Sequence, residues 1–158
     1  MINFLILLWA LFLVAVLIIL FKTPKKTEFD FQNFGVADIP YITMDIQGHL
    51  LNMIVDTGCG ISFINLPALE KYNLEYTKTE RKASVSALTP DSVEAGAVTI
   101  DFFVDTNKVS EDFFIVNHED MGNFMRLYGI EMHGLLGSSF FDKYNCKVDY
   151  KNNKLIIP

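Results

Sequence analysis

The chain has 158 residues, with 19 acidic against 13 basic side chains and a formal net charge of −6 at pH 7. Every acidic residue lies from Glu28 onward, behind Lys22, Lys25 and Lys26, so the bulk of the chain carries the wrong sign for gripping a nucleic-acid backbone. Two cysteines, Cys59 and Cys146, are too few for a disulfide framework and lack the C-x-x-C spacing of zinc or redox sites.

The first element is apolar. Phe4 to Phe21 contains no polar residue, and as a helix it would be roughly 27 Å long, close to the hydrocarbon thickness of a bilayer. A cleaved signal peptide would need a basic start and a small-residue cleavage site. Met1-Ile2-Asn3 and Phe21-Lys22-Thr23-Pro24 supply neither, so the expectation is a single uncleaved transmembrane anchor over residues 1–22. Lys22, Lys25 and Lys26 just beyond it place the following domain on the cytoplasmic side. Pro24 to Asn33 is polar and aperiodic, which reads as a juxtamembrane tether over 23–38. What remains, 39–158, is enough for one domain with a real core and too little for two.

Within that domain Tyr41 to Ile46 alternates, Gln47-Gly48 offers a turn, and His49 to Val55 forms a second apolar strand, predicting a β-hairpin. It runs into Asp56-Thr57-Gly58-Cys59-Gly60 and then the apolar Ile61-Ser62-Phe63-Ile64. Pro67 fits the first turn of a short helix, Pro67 to Tyr72. A second hairpin is expected around Ala87-Leu88-Thr89-Pro90-Asp91, flanked by Lys82 to Ser86 and Ser92 to Ile100. Further β runs cover Ile100 to Val104 and Asp112 to Val116, and 117–132 carries no clear pattern. Gly134-Leu135-Leu136-Gly137 then precedes a short helix, Ser138 to Tyr144, with Ser138 or Ser139 as its cap. Strands Cys146 to Tyr150 and Lys154 to Ile157 close the chain around a Lys151-Asn152-Asn153 turn. So many short strands predict a mainly β domain with closed or orthogonally packed sheets.

Asp-Thr-Gly at the end of an apolar strand is compatible with a plain turn. Its surroundings point further. The stretch Val55-Asp56-Thr57-Gly58-Cys59-Gly60-Ile61-Ser62-Phe63-Ile64 resembles the active-site stretch of the retropepsin-like aspartic peptidases: apolar residues, Asp-Thr-Gly, a small residue, two variable positions, Ser or Thr and two apolar residues. Gly134-Leu135-Leu136-Gly137-Ser138-Ser139-Phe140-Phe141, continuing to Lys147-Val148-Asp149-Tyr150, resembles the second hallmark of that family. The resemblance covers about 39–158 and implies a retropepsin-like acid-protease barrel with one short C-terminal helix.

It also implies chemistry. Aspartic peptidases cleave peptide bonds with two carboxylates that share a proton around an attacking water. One chain supplies one, Asp56, so the resemblance implies a homodimer acting on a polypeptide substrate, with an isologous contact completing the site. Thr57 would brace the paired loops, Gly58 would hold its amide near the carboxylates, and Gly134, Leu135, Leu136 and Gly137 would pack behind the loop. Ala87, Leu88, Thr89 and Pro90 would form a flap over substrate. Cys59 stands where the family usually has Ala or Ser; it reads as a small packed residue, with a redox brake as the sharper alternative. A catalytically inactive peptide-binding or dimerisation module of the same fold is the rival reading.

Other chemistries lack a frame. His49, His118 and His133 show no H-x-x-x-H spacing, so neither metal nor cofactor is expected and the three read as surface or structural residues. None sits in a context that would make Cys59 a peptidase nucleophile, and Ser138-Ser139 lacks G-x-S-x-G. Asp149 reads as a strand end.

Overall fold

The computed structural model describes residues 9, 12–14, 26–34, 39–85, 93–117 and 130–158. Among the described residues from Thr27 onward, eleven strands and two short helices follow one another: β1 (Thr27–Asp30), β2 (Gln32–Phe34), β3 (Ile39–Ile46), β4 (His49–Val55), β5 (Ser62–Asn65), α1 (Leu66–Lys71), β6 (Thr77–Val85), β7 (Val93–Val104), β8 (Asn107–Val116), β9 (Gly134–Leu136), α2 (Ser138–Lys143), β10 (Lys147–Asp149) and β11 (Lys154–Ile157). They form an eight-stranded sheet in the order β2-β3-β4-β9-β5-β8-β7-β6 and a three-stranded sheet in the order β1-β11-β10. The mainly β expectation holds.

The β3–β4 hairpin turns where the sequence places it. Gln47 and Gly48 have φ of 56° and 83°, the paired positive values that a tight two-residue turn needs to match strand twist. Asp45 accepts the Gly48 amide at 2.7 Å. The Gln47 side chain donates to the Glu75 carbonyl at 2.8 Å and accepts the Glu75 amide at 2.8 Å, tying the turn to the chain beyond α1. A second tight turn, with Asp105 at φ 55°, joins β7 to β8 in the register Val104↔Asn107.

Alternation divides the side chains between two cores. Ile42, Met44 and Ile46 of β3, Leu51, Met53 and Val55 of β4, and Ile100, Phe102 and Phe113 of the β7–β8 hairpin line one cluster. Phe140 and Phe141 of α2 and Leu155 and Ile157 of β11 belong to it as well. Tyr41, Ile54, Phe63, Ala95, Ala97, Phe114, Met132 and Leu135 form the second. The centre of the sheet is therefore covered on both faces, and its strands read as unbroken apolar runs for that reason. Each fully buried Phe or Leu side chain contributes about 1.5–3 kcal/mol relative to exposure.

Three expectations change. The tether expected over 23–38 carries two strands: β1 pairs with β11 (Phe29↔Leu155) and β2 with β3 (Gln32↔Tyr41). Its polarity is that of an edge strand with one inward side, since Phe29 and Phe31 pack on the core while Glu28 and Asp30 point out. Among the described residues the strands thus start at Thr27 rather than near Ile39. The helix expected from Ser138 is capped by Gly137, with no side-chain cap. The strand before the second hairpin starts at Thr77, with an irregular register between Lys78 and Lys82.

The span expected over 1–22 falls almost wholly outside the described residues. Trp9, Phe12, Leu13 and Val14 are helical and exposed, and among the described residues no helix is long and apolar enough to cross a membrane. The unassigned 117–132 stretch lies mostly outside the described residues too.

Candidate active site

Asp56 leaves the end of β4 at the point where β9 is inserted between β4 and β5. β9 runs parallel to β4 (Val55↔Leu136) and antiparallel to β5 (Phe63↔Leu135). The loop from Asp56 to Ile61 therefore arches over the end of β9, bonded to β9 at its start and to the first residue of α2 at its middle. The Asp56 amide donates to the Leu136 carbonyl at 3.1 Å, and the Ser138 amide donates to the Cys59 carbonyl at 2.7 Å. Inside the loop the Gly58 amide donates to Asp56 Oδ1 at 2.9 Å, and the Cys59 amide donates to the Asp56 carbonyl at 3.2 Å. An amide donor on a carboxylate oxygen holds that carboxylate in one rotamer. Asp56 is half-buried, and Thr57 and Gly58 are exposed beside it.

Close packing dictates glycine behind the loop. A Cβ on Gly137 would lie 2.2 Å from the Ile61 carbonyl oxygen and 2.8 Å from that of Cys59. At Gly134 it would lie 2.6 Å from the Phe63 carbonyl oxygen. Leu135 and Leu136, between them, are buried on opposite faces and join the second and first cores respectively. The structure thus brings Asp56, Thr57, Gly58 and Cys59 together with Gly134, Leu135, Leu136 and Gly137. Cys59 is half-buried and its thiol donates to the Ile61 carbonyl at 3.2 Å.

The flap residues Ala87, Leu88, Thr89 and Pro90 lie outside the described residues. Strands β6 and β7 on either side are described up to the pair Val85↔Val93. Asp149 ends β10 and accepts both the backbone amide of Asn152 at 3.0 Å and its side-chain amide at 2.7 Å, a turn role. Among the described residues no cluster of three or more His, Cys, Asp or Glu could hold a metal ion.

Two titratable groups near the loop escaped the sequence reading. His133 is buried just before β9. Its Nδ1 accepts the Asn52 amide at 2.9 Å while its own amide donates to the Asn52 carbonyl at 3.0 Å, so it acts as an extra strand partner for β4. Nδ1 is therefore unprotonated and the proton sits on Nε2, which faces Tyr72 Oη at 3.2 Å and Glu131 Oε2 at 3.6 Å. Burial pulls its pKa below 6.5, against the pull of Glu131. Glu111 is the second, a carboxylate only 2% exposed on β8. Burial pushes it above its ordinary 4.5, although Lys143 and Ser62 both pull it down. A sequence signal existed for Glu111, which occupies the inward phase of β8 between Val109 and Phe113.

No family model and no curated protein matches the sequence. Solved structures do match. A retropepsin-like aspartic protease from Rickettsia conorii aligns with a TM-score of 0.51 at 16% identity, over 84% of this chain and 89% of that chain. The fold is retropepsin-like. The retroviral protease-like domain of Ddi1 from Leishmania major aligns equally well, with a TM-score of 0.52 at 16% identity, over 75% of this chain and 87% of that one. At that identity the likeness concerns the fold, and what the retropepsin-like chain does rests on its own residues.

Proposed function

We propose that this chain is a membrane-anchored aspartic endopeptidase, active as a homodimer in which each copy contributes Asp56. The observation that carries this reading is the setting of that aspartate. It stands on an Asp-Thr-Gly turn at the end of a strand buried on both faces, its carboxylate aimed by the Gly58 amide and its loop bonded to β9. A structural turn has no need of a half-exposed carboxylate on so rigid a mount, whereas catalysis does.

In the dimer the two Asp56 carboxylates share one proton. The ionised one takes a proton from water as it attacks the scissile carbonyl, and the protonated one donates to the carbonyl oxygen. Two like charges at close range repel, so the pair keeps one proton between them and divides the roles by itself. Thr57 braces one loop against the other, Gly134 to Gly137 hold each loop from behind, and the Ala87 to Pro90 hairpin closes over an extended polypeptide. No metal or cofactor takes part.

Anchoring through residues 1–22 is supported by the apolar run itself and by the exposed helical Trp9, Phe12, Leu13 and Val14, which a bilayer would cover. With β1 starting at Thr27, about four residues separate anchor from domain, a reach of roughly 14 Å. The domain then sits on the membrane surface, on the cytoplasmic side.

The test is incubation of the purified full chain with a diverse peptide mixture, with cleavages identified by mass spectrometry. Wild type should cut. Asp56→Asn keeps the acceptor for the Gly58 amide and should fold, yet should lose cleavage by several orders of magnitude. Undiminished cleavage by pure Asp56→Asn protein would remove the assignment, and a wild type that binds peptides without cutting them would leave the non-catalytic module.

A further inference from the structure

Glu111 is a buried carboxylate with no part in the chemistry just described, and its position in the fold suggests a use. It faces Lys143 Nζ at 3.4 Å, bonds to the Ser62 hydroxyl, and has Asp112 and Cys146 as further titratable neighbours. Ser62 is itself fully buried. Its Oγ accepts the Gly137 amide at 3.2 Å. Gly137 lies in chain order between Leu136, whose carbonyl receives the Asp56 amide, and Ser138, whose amide binds the Cys59 carbonyl.

A hydroxyl has one hydrogen and two lone pairs. With a lone pair taken by Gly137, the hydrogen of Ser62 must find an acceptor, and the Glu111 carboxylate is there to receive it. We infer that Glu111 is a positioning residue for the Asp56 loop: by accepting from Ser62 it turns that hydroxyl's lone pair to the Gly137 amide and so pins β9 and α2 behind the loop.

Stability alone does not account for the carboxylate. A group whose pKa is raised by folding contributes stability below its unfolded value, here 4.5, and loses that contribution as pH rises through its folded value. Burial therefore makes the charged form of Glu111 a cost to folding rather than a gain, and Lys143, with its side chain half exposed, does not depend on it for solvation. An apolar residue in its place should leave the domain folded.

The inference rests on the proposed activity only for its kinetic arm. The main arm is hydrogen exchange of the full chain at single-amide resolution, with β3 amides as the internal reference so that a global change in stability cancels. Ser62→Ala and Glu111→Leu should each speed exchange at Gly137 by about tenfold relative to β3, the scale of one lost buried hydrogen bond. The double variant should add nothing further, because the two residues act through one bond. Glu111→Gln and Ser62→Thr, which keep acceptor and hydroxyl, should stay within about twofold of wild type. In the kinetic arm Glu111→Leu should lower kcat and leave KM unchanged. If wild type does not cleave peptides, the proposed activity fails while the exchange arm still decides the role of Glu111. Should Glu111→Leu not fold, titration of the Glu111 carboxyl by carbon NMR in Ser62→Ala is decisive, since loss of the donated hydrogen bond must raise its pKa. Wild-type exchange at Gly137 in Glu111→Leu, acceleration on top of Ser62→Ala, or an unmoved Glu111 titration in Ser62→Ala would each overturn the inference.

Discussion

Adding one methyl group at Gly137 tests the mount behind Asp56 more sharply than any change to the aspartate. The new Cβ would stand 2.2 Å from the Ile61 carbonyl oxygen, 2.5 Å from its carbon and 2.8 Å from the Cys59 carbonyl oxygen, where ordinary contact begins at 3.4 Å. All three atoms are backbone, so no side chain can swing away, and the loop and the start of α2 must part by about 1.2 Å. That movement strains the bonds from Gly137 to Ser62 and from Ser138 to Cys59. Overpacking of this kind costs about 1–3 kcal/mol, and one weakened buried hydrogen bond adds about 1 kcal/mol. A loss of about 3 kcal/mol should lower the midpoint of thermal unfolding by roughly 10 °C for a domain of this size. The control is Gly60→Ala in the same loop, where a Cβ meets nothing within 4 Å. Its backbone is outside the left-handed region, which only Gly48 occupies among the described glycines, so Gly60→Ala should stay within about 0.5 kcal/mol of wild type. Equal midpoints for Gly137→Ala and Gly60→Ala in differential scanning calorimetry would refute the packing argument.

Three further outcomes are expected. His133, with Glu131, Lys71 and Tyr72 around it, has a pKa depressed by burial, so its contribution to stability is full above pH 6.5 and is lost as pH falls through the folded value; His133→Gln should flatten that part of a stability-against-pH curve measured by urea unfolding, and an unchanged slope would count against the assigned tautomer. The Cys146 thiol is pushed up to about 12, chiefly by burial, so at pH 8 a maleimide should leave it unmodified in the folded protein and label it on unfolding. A membrane-impermeant cysteine reagent should fail to reach the domain in intact cells and succeed after permeabilisation; labelling of intact cells would reverse the orientation.

Most of the fold could be read in the sequence wherever one residue type had one physical use. Gln47-Gly48, Pro67, the Asp56-Thr57-Gly58 turn and the Gly134 to Gly137 stretch each took the place expected of them. The signals failed where the cause is tertiary. Thr27 to Asp30 looks like a tether because its only reason to be a strand is β11, over a hundred residues later in the chain. Gly137 takes the cap position in place of Ser138 because the chain enters the helix there with extended backbone, pressed so close to the Ile61 and Cys59 carbonyls that no side chain fits. His133 reads only as a surface or structural residue and Glu111 drew no reading although it falls on the inward phase of β8; what distinguishes them is the backbone amide on one and the buried hydroxyl on the other, partners that local spacing does not show.

The proposed dimer carries the sharpest consequence. One chain brings one Asp56, and a lone carboxylate cannot be base and acid in the same step, so a monomer should be inactive. Anchoring two copies on one membrane surface, each within roughly 14 Å of its own anchor, confines their search and raises their effective concentration. Solubilised in excess detergent, which dilutes the anchors among micelles, the full chain should lose specific activity on dilution, with rates rising more steeply than linearly with protein concentration. Reconstituted at fixed protein-to-lipid ratio it should resist the same dilution. Excess Asp56→Asn chains mixed into the membrane should suppress wild-type activity, because most wild-type copies then face a partner with no ionisable group at that position. A detergent-dispersed monomer, established by sedimentation, that cleaves peptides in strict proportion to its concentration would show that the second carboxylate comes from the same chain, and the shared site would have to be abandoned.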